Sequence, residues 1–184
     1  MLKSLRRHAR NVVTVAGLVI GLVLGLSSPA FASLWALQDG FESNPAATWW
    51  FQSSGNGFGN FDGTNGTPHT GSRYADVYRF DAGWASVGRN VHLTPAANHP
   101  SNCSAQIWLQ QAPGTRVNFE IINPSTWTYI SLNQITLPND WQWHAYTSGS
   151  WKPGPVDVVV RVSAVSTGGF AGVKVDDLTV QCSY

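Results

Sequence analysis

Residues 104–110 read Ser-Ala-Gln-Ile-Trp-Leu-Gln, so that small or apolar side chains alternate with amide and indole side chains. Successive side chains of a β-strand point to opposite faces of a sheet, and this alternation therefore predicts a strand with one face in a core. Residues 117–121 and 156–163 alternate in the same way. Three further segments continue the series of predicted strands: 129–137, 141–151 and 170–182.

Turn signals separate these predicted strands at short intervals. They are Pro124-Ser125, Pro138-Asn139-Asp140, Pro153-Gly154-Pro155 and Gly168-Gly169. No segment after residue 32 has the 3.6-residue period of a long amphipathic helix. Many short strands with frequent turns predict an all-β protein, built as a two-sheet antiparallel β-sandwich.

The first 32 residues have the three parts of a secretory signal peptide. Four basic residues precede an apolar run from Val12 to Leu26, and Ala30-Phe31-Ala32 supplies the small residues of a cleavage site. An uncleaved anchor helix is the alternative, but this run is shorter than the roughly 17–25 residues that span a bilayer. We therefore predict a signal peptide over 1–32, a secreted, extracellular domain over 33–184, and no membrane association after cleavage.

The charge that remains after residue 32 argues against a nucleic-acid partner. Seven lysines and arginines face ten acidic residues there, which gives a net charge of −3. A nucleic-acid-binding domain would show a basic face instead. The segment has no linker, repeat or low-complexity tail, so we expect a single monomeric domain.

Cys103 and Cys182 are the two cysteines of the chain. In an exported protein two thiols normally pair, and the sequence predicts one disulfide between them. The alternative is two free, buried thiols.

Three short segments carry a resemblance to a known family. They are Asp39-Gly40-Phe41-Glu42, His69-Thr70-Gly71-Ser72 and Val175-Asp176-Asp177-Leu178. In this order and spacing they resemble the calcium-containing jelly-roll carbohydrate-binding modules of secreted polysaccharide-degrading systems. The resemblance implies a jelly roll whose partner is a polysaccharide or oligosaccharide.

The same resemblance implies one structural Ca²⁺ between the terminal strands. Its expected ligands are Glu42, Asp39, Ser72, Asp176 and Asp177. Ca²⁺ takes six to eight oxygens, and carboxylates mixed with carbonyls suit it. Two alternatives need no metal: Arg73 could neutralise Glu42, and the two adjacent aspartates could face solvent and cap a turn.

Six polar or aromatic residues occupy the predicted outward faces of three strands: Gln106, Trp108, Gln110, Asn118, Glu120 and Arg161. If these strands are neighbours in one sheet, the six side chains form one surface. A sugar ring stacks its C–H face on an indole, while its hydroxyls pair with amides, carboxylates and guanidinium groups. The alternative is an ordinary solvated sheet face.

All nine tryptophans lie after residue 32, more than a core of this size needs. Trp35 and Trp141 are interpreted as core or staple residues. Trp84, Trp127 and Trp50 lie at predicted strand ends or in loops, where exposed rings could stack sugars.

The residues favour a secreted, non-catalytic carbohydrate-binding protein. Glu42 and Glu120 are the only glutamates after residue 32, and glycoside hydrolysis usually needs two carboxyl groups flanking the bond. A jelly-roll polysaccharide-degrading enzyme, hydrolase or lyase, stays open as an alternative. So does an extracellular adhesion or structural protein.

Overall fold

The computed structural model describes residues 34–63, 66–93, 102–111, 115–152 and 157–183, all of which belong to the unit 32–184. The predicted signal peptide over 1–32 lies outside the described residues. In the part of the chain that is described, no helix has the length and apolar character needed to cross a membrane.

Strands dominate the described chain, and one short 3₁₀ helix, Pro45–Ala47, precedes the second strand. The strands are β1 Leu34–Asp39, β2 Trp49–Ser53, β3 Gly57–Asn60, β4 Ala75–Arg79, β5 Gly83–His92, β6 Asn102–Gln111, β7 Arg116–Asn123, β8 Thr128–Thr136, β9 His144–Trp151, β10 Asp157–Ser166 and β11 Ala171–Ser183. Every segment predicted to be a strand from residue 104 onward overlaps one of the strands β6 to β11, although β9 begins three residues later than predicted, at His144, and residue 156 lies outside the described residues.

The strands form two antiparallel sheets. Sheet A has the order β3-β4-β11-β6-β9, with β1 also paired to β11, and sheet B has the order β2-β5-β10-β7-β8. The prediction of an all-β, two-sheet antiparallel sandwich is therefore confirmed.

Strand β11 organises sheet A. One of its edges pairs with β4 through residues 171–175 and with β1 through residues 178–183. Its other edge pairs with β6 along almost its whole length, with a register shift between Asp176 and Thr179. The first and last strands of the domain are therefore neighbours, and the segments that flank them meet at one place.

The core lies between the two sheets and consists of the inward-facing halves of the alternating strands. Ile107 and Leu109 of β6 are fully buried, as are Phe119 of β7 and Val160 and Val162 of β10. The apolar faces predicted for these three strands are confirmed. Because these positions are filled, the opposite side chains of each strand point outward and are available for other roles.

A disulfide joins Cys103 of β6 to Cys182 of β11, as predicted. The two residues are register partners with a Cα–Cα distance of 4.1 Å, and 79 residues separate them in sequence. The bridge is buried, and it ties the C-terminal end of β11 into the middle of sheet A.

Candidate functional site

The six residues predicted to form one binding surface lie on two different faces. Strand β6 belongs to sheet A, whereas β7 and β10 are direct neighbours in sheet B. Gln106, Trp108 and Gln110 therefore share the outer face of sheet A, and the prediction of one common surface is wrong. Alternation along a strand fixes which side chains point outward, but it does not fix which sheet the strand joins.

The other three residues, Asn118, Glu120 and Arg161, do lie together on the outer face of sheet B. Arg161 is the register partner of Glu120, and its Nε donates a hydrogen bond to Glu120 Oε2. The Ser163 hydroxyl donates to the same oxygen at 3.4 Å. Glu120 is 1% exposed, so this carboxylate is buried and needs the hydrogen-bond partners that Arg161 and Ser163 supply.

Aromatic rings surround this ion pair. The Arg161 guanidinium carbon lies 5.5 Å from the centroid of the Trp84 ring, within the range of a cation–π contact. Tyr129, at the start of β8, is more than half exposed. These side chains line one groove with a volume of about 250 Å³; its residues are Gly83, Trp84, Asn118, Glu120, Tyr129, Arg161, Ser163, Val165 and Ser166.

Trp50 extends the same face toward the edge strand β2. It is the register partner of Gly88, which is itself the partner of Arg161 on the other side. The benzo ring of Trp50 occupies the space that a side chain at residue 88 would fill. Glycine at this position therefore allows the indole to lie across the sheet beside Arg161.

Trp127 lies apart from the residues that line this groove. It is exposed at the turn between β7 and β8, and its backbone has a φ of 54°. The Trp127 backbone N–H donates to the Asn123 carbonyl at 2.8 Å. The structure therefore places Trp84 and Trp50 on the face of the ion pair and Trp127 at the end of the sandwich.

On sheet A the outward-facing Trp108 has a structural partner. The His69 ring stacks on Trp108 with a centroid distance of 3.7 Å and an interplanar angle of 16°. Trp143 contacts His69 edge-on and donates its indole N–H to the Thr67 carbonyl at 3.1 Å. One face of the Trp108 ring is therefore occupied by the segment 66–74, and Trp108 fastens that segment to the sheet.

The two glutamines beside Trp108 differ from each other. The Gln110 side-chain amide donates to the Trp141 carbonyl at 2.8 Å, while Gln106 is exposed at a different point of the sheet. Trp141 itself is exposed, so its interpretation as a core residue is wrong. Trp35, in contrast, packs against the core from β1.

Four of the five predicted metal ligands, all except Asp39, lie at or next to the turn at His69–Ser72. Glu42 accepts hydrogen bonds from the Ser72 hydroxyl at 2.7 Å and from the backbone N–H groups of Ser72 and Arg73 at 2.8 Å. The Ser72 bonds and the Arg73 amide lower the pKa of Glu42. The Arg73 side chain instead pairs with Asp62 at 3.3 Å.

Asp176 and Asp177 of β11 hold the same turn from the other side. The buried Asp176 carboxylate accepts from the N–H groups of His69 and Thr70 at 2.9 and 3.3 Å. Asp177 contacts His69 Nδ1 at 2.5 Å and accepts from the Thr70 hydroxyl at 2.8 Å. Burial raises the pKa of Asp176, the charge of Asp177 raises it further, and the pKa reaches about 6.

Asp39 serves a different pair of residues. Its carboxylate accepts from the Trp49 indole N–H at 2.9 Å and forms an ion pair with Arg89. Asp39, Glu42 and Asp177 nevertheless line one open cavity of about 450 Å³, together with Gly40 and Thr70. Across the described ranges, no three His, Cys, Asp or Glu side chains converge into a metal-binding cluster.

The oxygens next to Gly40 suit a hard cation. A Cβ placed on Gly40 would lie 2.9 Å from Asp177 Oδ1, 3.9 Å from the Thr70 hydroxyl and 4.0 Å from Asp176 Oδ1. Two carboxylates and a hydroxyl therefore surround a space that glycine leaves open. Oxygen ligands of this kind are those that Ca²⁺ prefers, and the residues present fit the ion.

No protein-family model and no curated protein matches the chain, but solved structures do. The K3 adhesin domain of Lys-gingipain from Porphyromonas gingivalis is 11% identical, with a TM-score of 0.60 over 81% of this chain and 99% of that domain. The module TmCBM61, solved with β-1,4-galactotriose, is 12% identical, with a TM-score of 0.58 over 77% of this chain and 92% of that one. The C-terminal family 22 carbohydrate-binding module of Clostridium thermocellum Xyn10B is 17% identical, with a TM-score of 0.54 over 78% and 90%.

The fold is that of the β-sandwich carbohydrate-binding modules. This confirms the fold that the sequence resemblance implied. At these identities the likeness shows the fold alone.

Sequence reasoning missed Tyr129 and Ser163 as members of the sheet B groove. Ser163 follows Arg161 by two residues on an alternating strand, so its outward direction was readable from the pattern. Tyr129 reaches the groove because β8 pairs with β7 after a register shift between Ile121 and Ile122. The local sequence does not predict that register shift.

Proposed function

We propose that the outer face of sheet B binds a polysaccharide or oligosaccharide chain. The observation that carries this proposal is the Arg161–Glu120 pair, held in an open groove that Trp84 and Tyr129 also line. Indole and phenol rings stack on the C–H faces of sugar rings. The guanidinium and the Asn118 amide offer planar hydrogen-bonding groups to sugar hydroxyls, and the buried Glu120 carboxylate holds the guanidinium in place.

The solved structures of similar fold support this ligand class. TmCBM61 was solved in complex with β-1,4-galactotriose, and the similar Paenibacillus barcinonensis module is described as a xylan-binding domain. Both are under 25% identical to this chain, and they support the ligand class alone.

We propose that the groove binds without catalysis. Among the described residues, Glu120 is the one carboxylate that lines it, and that group is paired with Arg161. Glycoside hydrolysis usually needs two carboxyl groups separated by about 5–9.5 Å. A reducing-sugar assay on the polymers that the protein binds should therefore stay at the level of the blank.

The proposed setting is extracellular and the proposed state is a monomer. The leader pattern over 1–32 supports export. The buried Cys103–Cys182 disulfide supports an oxidising compartment.

Glycan binding is tested with a glycan-array screen, followed by calorimetric titration of the best oligosaccharide. We expect Trp84→Ala to weaken that titration by about tenfold or more, since stacked rings of this kind act as binding hot spots. Trp127→Ala removes an equally large, exposed ring outside the groove and is the matched control. Equal affinities for the wild type and the Trp84 variant would remove sheet B from the proposal.

We further propose that Ca²⁺ stabilises the domain at the cavity beside Gly40. The oxygens would come from Asp176, Asp177, Thr70 and the neighbouring Glu42. The ion would then connect the segment 39–42, the His69–Ser72 turn and β11. A ligand that binds only the folded state raises its stability. Chelator should therefore lower the melting temperature, and added Ca²⁺ should restore it.

The hydrogen bonds at this cavity could hold the turn without a metal, and Asp177→Asn separates the two accounts. The variant weakens a calcium site but keeps an acceptor for the Thr70 hydroxyl. If Ca²⁺ binds, the variant should lose its response to chelator. Identical melting of the wild type with chelator and with Ca²⁺ would contradict calcium binding.

A further inference from the structure

A second cluster of aromatic side chains lies on the outer face of sheet A, on the opposite side of the sandwich from the groove described above. Phe58, Phe80, Phe170 and Trp141 are 50%, 49%, 56% and 58% exposed. They are four of the seven large hydrophobic side chains that are exposed among the described residues. Such a concentration on one face is unusual for a soluble domain and marks an interaction site.

The rings lie down on the sheet. Tyr78 pairs across the strands with Phe58 on one side and with Gly172 on the other. A Cβ at Gly172 would lie 2.8 Å from Tyr78 Cδ1 and 2.9 Å from Phe170 Cζ. The two rings therefore cover the backbone where a side chain would otherwise stand, and they leave a flat aromatic surface.

Three of the rings form a row. The Tyr78 ring lies 6.3 Å from Phe58 at an angle of 11° and 5.7 Å from Phe170 at an angle of 29°, while Phe80 is tilted by 51° to Phe170. Strands β3 and β4 and the residue before β11 thus present one row of rings. Beside this row, Trp141 and Phe170 also line a groove of about 140 Å³ over Gly172.

Lys174 is the one charged side chain among the described residues that line this groove, and its ammonium lies 4.8 Å from the centroid of the Tyr74 ring. Its register partner is Asp76, a buried residue whose carboxylate accepts a hydrogen bond from the Tyr78 hydroxyl at 2.8 Å. Because the single lining cation lies over an aromatic ring and next to an aspartate, the groove suits a neutral ligand better than a phosphate, a nucleic acid or an acidic lipid. Gln110 fixes the Trp141 wall through its bond to the Trp141 carbonyl.

We propose that this aromatic face of sheet A is a second glycan-binding site, for the flat apolar side of a neutral polysaccharide. Parallel rings that lie on the sheet can stack several sugar rings of one chain or of an insoluble polymer surface. The inference shares its ligand class with the proposed function of sheet B but uses different residues.

The test is a sedimentation assay with insoluble polymers, namely microcrystalline cellulose, insoluble xylan and chitin. We expect Phe170→Ala and Trp141→Ala to lower the bound fraction on at least one polymer, with an apparent affinity loss of about tenfold. Both rings are more than half exposed, so both variants should fold, and their melting temperatures check this. Trp127→Ala is the matched control and should bind like the wild type.

The same variants separate this proposal from that for sheet B. Trp84→Ala should weaken titration by soluble oligosaccharides, whereas Phe170→Ala should leave it unchanged. Binding of Phe170→Ala and Trp141→Ala at wild-type levels on every polymer would overturn the second site, as would failure of the wild type to bind any of them. A wild-type dimer in light scattering that Phe170→Ala converts to monomer would also overturn it, because the face would then join two copies of the chain.

Discussion

On sheet B the Arg161 guanidinium lies over the Trp84 ring at the side of an open groove, whereas on sheet A the His69 ring stacks on one face of Trp108. Both tryptophans are outward-facing residues on alternating strands of one sandwich. Their surroundings differ because the segment 66–74 packs on the outer face of sheet A at Trp108. The same segment leaves the row of rings at Phe58, Tyr78 and Phe170 open. The difference teaches that an outward indole is a binding candidate only where no loop returns to cover it.

The largest expected effect concerns the Cys103–Cys182 disulfide, which lies in sheet A and not in sheet B. Reduction, or replacement of Cys103 and Cys182 by alanine, should cost roughly 4–5 kcal/mol of unfolding free energy for a loop of this length. The melting temperature should fall by about 10 °C, while oligosaccharide affinity on sheet B stays unchanged below the melting transition. Reductant should not shift the double-alanine variant further. Two reactive thiols in the denatured, unreduced protein would contradict the bond.

The next effect tests the ion pair at the centre of sheet B. Arg161→Ala leaves the Glu120 carboxylate buried without its partner, which should cost about 3–5 kcal/mol in a urea unfolding experiment. The double variant Arg161→Met with Glu120→Leu should recover most of this stability but not the affinity for glycan. If the single variant is as stable as the wild type, water reaches Glu120 and the pair is not buried.

A smaller effect distinguishes the two tryptophans directly. Trp108→Ala removes a half-buried ring that holds the segment 66–74, and it should lower the unfolding free energy by about 2 kcal/mol without changing affinity at sheet B. Trp84→Ala should lower the oligosaccharide affinity at sheet B without changing the unfolding free energy. Measuring the melting temperature and the oligosaccharide affinity of both variants checks the assignment, and an affinity loss at Trp108 would return that residue to the binding site.

The smallest expected effect is a pH dependence on sheet A. Burial raises the pKa of Asp76, against the smaller opposing effects of the Tyr78 hydroxyl and Lys174. Because the folded state then holds this proton more tightly than the unfolded state, Asp76 contributes stability at low pH that is lost as pH rises through its folded pKa. Urea unfolding of Asp76→Asn should show a flatter pH profile between the ordinary aspartate pKa and that raised value. Parallel profiles for variant and wild type would show that Asp76 is not desolvated.

The strands from β6 to β11 were predictable because their alternation is strong and proline- or glycine-containing turns separate most of them. The strands from β1 to β5 were not assigned. In β5 the inward series Ala85, Val87 and Val91 is interrupted by Arg89, which belongs to the end of the sandwich and pairs with Asp39. A charged residue on the inward side hides the period that would otherwise reveal the strand.

The candidate site was predictable in parts. Outward direction and residue type gave Asn118, Glu120 and Arg161, and these three do lie together on sheet B. The grouping with Gln106 and Trp108 failed because sheet membership depends on pairings between distant segments. The same holds for Trp141, whose ring is exposed beside a groove built by residues of β4, β6 and β11.

The position of β11 in sheet A has a consequence for how the chain folds. β11 is the last strand in sequence, and β1, β4 and β6 all pair with it. Until β11 has left the ribosome, those three strands lack a shared neighbour and Cys103 lacks its partner. Topologies dominated by such distant pairings fold slowly, and unpaired edges invite aggregation. A chain cut short before Ala171 should therefore remain unfolded and aggregation-prone, even though it retains the ten strands described before β11.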